Sequence, residues 1–218
     1  VTDAEQKVLL VHGLGRTPLS LLLLGRRLRR EGYAPEFFGY YAFAESHRRI
    51  VERLVRRLRL LAAEGGPVGL VGHSLGGLLL RQALARVPEL EVRGLVMLGT
   101  PNQPPRLAER VKDWSAFRLF ARSCGQLLAT PEAFAALPPP KYPYLIIAGT
   151  AGWRWSWTPF AGAPNDGFVT VEETRLNAGE TPLTLPVSHT FMMNDRAVQD
   201  AVLAAFSDAA PGGSGSQR

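Results

Sequence analysis

Cysteine is almost absent from this chain. Its 218 residues include one, Cys124, so no disulfide can form within it. That favours a reducing compartment, and a cytoplasmic protein is expected over a secreted one. Long hydrophobic runs are also missing. The longest, "LSLLLL" at 19–24, is far short of the roughly 20 apolar residues a membrane-spanning helix needs. No secretory signal is legible from Val1 onward, though the chain starts without methionine. Histidine is sparse: His12, His47, His73 and His189 stand far apart, with no Cys/His spacing of the zinc-binding kind, so no metal is expected. No internal repeat is visible.

What is present is arginine and an apolar core. The net charge is +6, and 46% of residues are hydrophobic, enough for one sizeable core. Many arginines fall in "GRRLRR" (25–30) and "RRIVERLVRRLRL" (48–60). In the second run Ile50, Val51, Leu54, Val55, Leu58 and Leu61 recur at helical spacing, and the arginines lie mostly on the other face. A solvated helix face is the expected reading, with weak contact to an anionic membrane surface as the sharper one. Nothing supports nucleic-acid binding, and the sequence carries no signal for oligomeric state.

The apolar segments alternate in kind. "KVLLVHG" (7–13), "EFFGYYAF" (36–43), "PVGLVG" (67–72), "VRGLVMLGT" (92–100) and "YPYLIIAGT" (142–150) read as strands. Residues 18–32, 46–64, 74–87 and about 195–206 read as helices. Short apolar strands between amphipathic helices predict an α/β fold, with a largely parallel sheet covered by helices on both faces. A single domain is expected over 1–208, with 209–218 ("PGGSGSQR" at its end) as a flexible tail.

One motif carries chemistry. Gly72-His73-Ser74-Leu75-Gly76 fits G-x-S-x-G between an apolar strand and an apolar helix, the context of a nucleophile elbow. A serine hydroxyl needs a base. His189, in "PVSHTFMMND", is the best candidate. His73 is expected to pack locally, His12 to shape a loop beside the site, and His47 to be exposed. The imidazole needs a carboxylate to set its tautomer, and Asp166, in "APNDGFVTVEE", precedes His189 in the chain. Glu172 and Glu173 stand in reserve. The developing oxyanion needs preorganised donors. The backbone N–H groups of Leu75, after the nucleophile, and Leu14, in "VHGLGR", are the candidates.

"HGLG", "GHSLGG", a "DG" before a late strand and a late "SH" together resemble the α/β-hydrolase superfamily. Within it they resemble the small bacterial lipases and carboxylesterases, and "LGTPNQ" (98–103) adds to that likeness. The resemblance covers about 7–206. It implies an α/β-hydrolase fold, a Ser74–Asp166–His189 triad and no cofactor. Larger members carry cap domains, whereas only 101–141 is available here, room for a small lid or an open cleft. The amphipathic stretch 107–128, with Trp114, Phe117 and Phe120, is the lid-helix candidate. Trp153, Trp155 and Trp157, in "GWRWSWTPF", either line an acyl pocket, touch lipid or cover a core edge. With Trp114 they are the candidate substrate-binding residues. The expected activity is serine carboxylic-ester hydrolysis on a small-molecule or lipid ester with an apolar acyl group. A thioesterase or acyltransferase with the same triad, and a catalytically silent member of the fold, remain open.

Overall fold

The apolar runs read as buried strands form the middle of one sheet. The computed structural model describes residues 6–111, 124 and 131–207. Six strands appear in that range: β1 (Gln6–Val11), β2 (Tyr33–Phe38), β3 (Val68–His73), β4 (Val92–Leu98), β5 (Tyr144–Gly149) and β6 (Leu183–Leu185). They pair in the order β2-β1-β3-β4-β5-β6, with every neighbouring pair parallel. This is the expected α/β architecture, a parallel sheet with helices on both faces.

Strand periodicity divides the core between the two faces of the sheet. Leu9 and Val11 join Ile50, Leu54, Leu58 and Leu78 on one side. Val8 and Leu10 join Leu24, Leu28, Val198 and Phe206 on the other. The first side is covered by α2 (His47–Glu64) and α3 (Leu75–Leu84), the second by α1 (Leu22–Arg30) and α7 (Arg196–Ser207). The six residues at helical spacing, Ile50, Val51, Leu54, Val55, Leu58 and Leu61, are buried, while Leu60, off that stripe, is exposed. Ser46 caps α2 by accepting from the Arg49 N–H, and Gly65, at φ 77°, ends it.

The helix expected over 18–32 opens as a short 3-10 turn at Pro18–Leu21 before α1. The strand expected over 36–43 lies earlier. β2 can pair only with β1, whose last matched residues are Val11 and Phe38. Beyond that point the chain has no ladder to join, and Tyr40 turns back onto His12. Between β4 and β5 lie α4 (Arg106–Val111) and α5 (Pro131–Ala135). Trp114, Phe117 and Phe120, and with them most of the expected lid helix, fall outside the described residues. Between β5 and β6 a single helical turn, α6 (Val171–Thr174), is held by a reciprocal capping box of Thr170 and Glu173.

Because β1 is flanked by β2 on one side and β3 on the other, the chain reverses its direction of travel across the sheet there. The carboxyl ends of β1 and β3 thus open a crevice, where open parallel sheets bind ligands. No helix among the described residues is long and apolar enough to cross a membrane.

Candidate active site

Ser74 follows the last residue of β3 and caps α3 at φ 51°, ψ −121°. This is left-handed backbone that L-residues rarely adopt, and such strain persists only where packing over-determines it. Here the packing is visible atom by atom. A Cβ on Gly72 would meet the Cα of Gly77 at 2.5 Å. One on Gly76 would meet the Val11 carbonyl oxygen at 2.2 Å. One on Gly77 would meet the Thr100 hydroxyl at 2.1 Å. The G-x-S-x-G-G pattern therefore records three close backbone approaches. The Ser74 N–H donates to the Leu98 carbonyl at 2.8 Å, which ties the elbow to the end of β4.

Asp166 and His189 arrive on loops after β5 and β6 and pair in the interior. His189 Nδ1 lies 2.6 Å from Asp166 Oδ2, and both side chains are buried. The other carboxylate oxygen accepts the N–H groups of Phe168 (2.9 Å) and Val169 (2.8 Å). A carboxylate so engaged accepts from His189, so the imidazole proton sits on Nδ1 and leaves Nε2 as the basic nitrogen. Backbone bonds lock the two loops together. His189 N–H donates to the Asp166 carbonyl at 2.9 Å, and Asp166 N–H to the Val169 carbonyl at 3.1 Å. The end of β4 abuts this pair, since a Cβ on Gly99 would lie 2.9 Å from His189 Nδ1 and 3.0 Å from Asp166 Oδ2.

His73 is placed where adjacency in sequence does not predict. Its side chain is buried, and Nε2 lies 3.0 Å from the backbone carbonyl of His189. The carbonyl can only accept, so Nε2 carries the proton and donates. The two rings tilt against each other with centroids 4.8 Å apart. His73 Nδ1 is buried with no hydrogen-bond partner among the described residues. Burial, reinforced by the nearby His189 and Arg16 charges, holds its pKa well below the ordinary value, so His73 is neutral. The His189 ring also stacks with half-exposed Phe168, at 5.1 Å between centroids. Phe168 has no motif signature and His73 occupies a variable position of G-x-S-x-G, so only the tertiary contact reveals what the two side chains do.

The loop after β1 closes on the elbow. A Cβ on Gly13 would stand 2.8 Å from His73 Nδ1 and 3.1 Å from Ser74 Cβ, so this glycine permits the approach. Leu14 follows, its side chain packed on the core, and Leu75 opens α3. His12 supports the loop from below. Its Nδ1 donates to the Gly13 carbonyl (2.9 Å), and its Nε2 accepts the Tyr40 N–H (3.3 Å). The Tyr40 ring stacks on it at 4.2 Å and its hydroxyl donates to the His12 carbonyl. Arg16 reaches from this loop to the Thr190 carbonyl (3.2 Å), beside the base.

Other expectations are revised. His47 is half-buried rather than exposed, because its Nε2 meets the Gln82 amide oxygen at 2.7 Å. The arginine face of α2 is partly neutralised within the fold, where Arg53 pairs with Glu45 (2.6 Å) and Arg57 with Glu36 and Glu64. Glu173 is spent on the Thr170 cap and the Arg106 N–H, and Glu172 pairs with Arg175, so neither reserve carboxylate serves the histidine. Trp153, Trp155 and Trp157 cover no core edge. They are 66%, 56% and 74% exposed and stack on one another. Trp114 lies outside the described residues. The buried Cys124 thiol is pushed up to about 11 by desolvation, far from a reactive thiolate. Among the described residues no group of three or more His, Cys, Asp or Glu is placed to hold a metal ion.

Comparison with known proteins bears on the fold. The profile of the alpha/beta hydrolase family matches residues 8–214, so the chain belongs to that family. Among solved structures it is similar to the mature form of lipase BlEst2 from Bacillus licheniformis, at 19% identity and a TM-score of 0.74, over 94% of this chain and 93% of that one. It is also similar to a structure from the metagenome-derived lipolytic enzymes LipS and LipT (17% identity, TM-score 0.70, 94% of each chain). A third is a thermophilic esterase from Thermogutta terrifontis (15% identity, TM-score 0.59, 95% of this chain and 92% of that one). At these identities the likeness is one of fold. Among curated proteins none matches this chain.

Proposed function

We propose that this protein is a serine carboxylic-ester hydrolase. The observation that carries the reading is the buried Asp166–His189 pair, whose imidazole packs on His73, the residue next to the strained Ser74. In this reading His189 Nε2 takes the Ser74 hydroxyl proton as Oγ attacks the ester carbonyl. The negative charge on the carbonyl oxygen rests on the N–H groups of Leu75 and Leu14, each worth about 2.7–4 kcal/mol of transition-state stabilisation. Collapse expels the alcohol, which takes the proton from His189. Water, deprotonated in turn by His189, then cleaves the acyl-enzyme and releases the acid. No cofactor enters the scheme. The lipolytic neighbours support the reaction class, and the exposed aromatics around the site support an apolar ester.

The test is hydrolysis of p-nitrophenyl esters from acetate to palmitate, with Ser74→Ala alongside. Wild-type protein should turn over at least one ester, and Ser74→Ala should fall by about 10⁶-fold, to the background. A fluorophosphonate should label wild type and not the variant. Unchanged turnover in Ser74→Ala would remove the nucleophile assignment. Free acid as the sole product in the presence of added alcohol or thiol separates hydrolysis from acyl transfer.

A further inference from the structure

We infer that the loop 151–160 is a membrane anchor, a stacked tryptophan wedge that seats the mouth of the site on a phospholipid bilayer. Trp153, Trp155 and Trp157 form a continuous stack, with ring centroids 6.4 and 5.2 Å apart and interplanar angles of 13° and 18°. All three are more than half exposed. The backbone beneath them is nonetheless pinned. Asn165 Nδ2 donates to the Trp153 carbonyl at 2.8 Å, and the Thr158 hydroxyl to the Trp155 carbonyl at 2.7 Å, while Asn165, Thr158 and Phe160 are buried. The loop is therefore built to hold its tryptophans outward. An exposed aromatic patch held this way marks an interaction surface.

Position and charge identify the occupant. The loop leaves the carboxyl end of β5 and runs directly into Asp166, so the stack stands at the end of the sheet that carries Ser74 and His189. Leu19, Phe43 and Phe191 are also exposed on loops at the carboxyl ends of strands. Two arginines stand beside the exposed aromatics. Arg154 lies between Trp153 and Trp155 in the chain and Arg16 sits over the Phe191 ring, and neither makes an ion pair among the described residues. Carboxylates in these loops have partners within the fold: Glu45 has Arg53, Asp166 has His189, Glu172 has Arg175, Glu173 the Thr170 cap, Glu180 the Leu176 N–H and Asp195 the N–H groups that open α7. Indole rings with apolar bodies and a polar N–H settle at the headgroup level of a bilayer, and arginines beside them meet lipid phosphates.

The meaning of this anchor for catalysis, an ester presented from a lipid surface, rests on the hydrolase reading above. The binding itself requires no turnover. The experiment is flotation of the full chain with diether phosphatidylcholine vesicles, which carry no cleavable ester, with and without diether phosphatidylglycerol. Wild type should float with both. W153A/W155A/W157A, checked for folding by its thermal transition, should partition about tenfold or more weakly, and high salt should not abolish wild-type binding. R154Q should lose only the gain from the anionic lipid. In a W114F background, brominated acyl chains should quench the remaining tryptophan fluorescence. Absence of wild-type flotation, or flotation without quenching, overturns the inference. So does binding that needs anionic lipid, vanishes in salt and survives the triple replacement, which would place contact on the arginine faces. A dimer that the triple replacement dissociates, without vesicle binding, would make the stack a self-association surface instead. Soluble-ester activity without flotation leaves the hydrolase reading intact, and flotation without activity leaves the anchor intact.

Discussion

At the scale of single residues the site depends on strain and on neutral, buried imidazole. Ser74 holds a backbone that favours glycine. Ser74→Gly should therefore stabilise the fold by about 1 kcal/mol, a strain relief of ~1–3 kcal/mol less up to ~1 for the added chain freedom. Ser74→Ala, which keeps the Cβ, should show no such gain. Urea midpoints of the three proteins decide it, and equal midpoints would mean that the elbow stores no strain. In the proposed hydrolase reading His73, bonded to the His189 carbonyl, is a positioning residue. His73→Phe keeps the ring packing and removes the donor to the His189 carbonyl. It should lower kcat by about 10²-fold with KM little changed, the scale of a small misplacement of the base. Glutamine can present an N–H near the position of Nε2, so His73→Gln should recover part of the loss. A His73→Phe enzyme with wild-type kcat would reduce His73 to core packing.

At the scale of elements, the elbow is where β1, β3, β4 and α3 crowd together, and its glycines differ sharply in what they protect. Gly76 faces the Val11 and His12 carbonyls at distances no Cβ tolerates, whereas a Cβ on Gly94, in β4, would meet its nearest atom at an ordinary 3.7 Å. Gly76→Ala should thus cost about 3 kcal/mol or more, since backbone on backbone cannot yield without moving α3 off β1. Gly94→Ala should stay within about 1 kcal/mol of wild type. Thermal unfolding of the pair measures the difference, and similar losses in both would show that α3 moves freely. Helix α2 illustrates what periodicity resolves: its buried stripe is legible in residues 50–61. Its arginines are not, because their partners Glu36 and Glu45 come from β2 and the loop after it.

At the scale of the whole molecule, burial of neutral histidine couples stability to pH. His73, His12 and His47 all have pKa values lowered from 6.5, in each case chiefly by desolvation. Their folded pKa values lie below the unfolded one. As pH falls through about 6.5 the unfolded chain takes up protons that the fold refuses, so stability is full above that point and declines below it. Each such histidine contributes a slope of at most about 1.4 kcal/mol per pH unit. Urea unfolding between pH 8 and pH 5 should show the decline, and His73→Gln should make it shallower. A stability flat across that range would contradict the neutral, buried assignment.

What the sequence determined by itself was whatever depends on local pattern. Strand and helix identities followed from apolar periodicity, and the elbow from glycines that exclude any side chain. Asp166 and His189 were legible as candidates because chain order and turn context narrow the choice. Their pairing was not, since it is made by loops 23 residues apart in sequence. Only the tertiary structure decided that β2 stops at Phe38, where its single partner ends, and that His73 braces His189 from beneath. Only it decided that the tryptophans stack outward. The aromatic spacing in 153–157 is compatible with a core edge, an acyl wall or an exposed wedge, and the hydrogen bonds of Asn165 and Thr158 beneath the loop select the third. Contacts between residues distant in the chain leave no periodic trace along it, because their energy depends on where the whole sheet carries them.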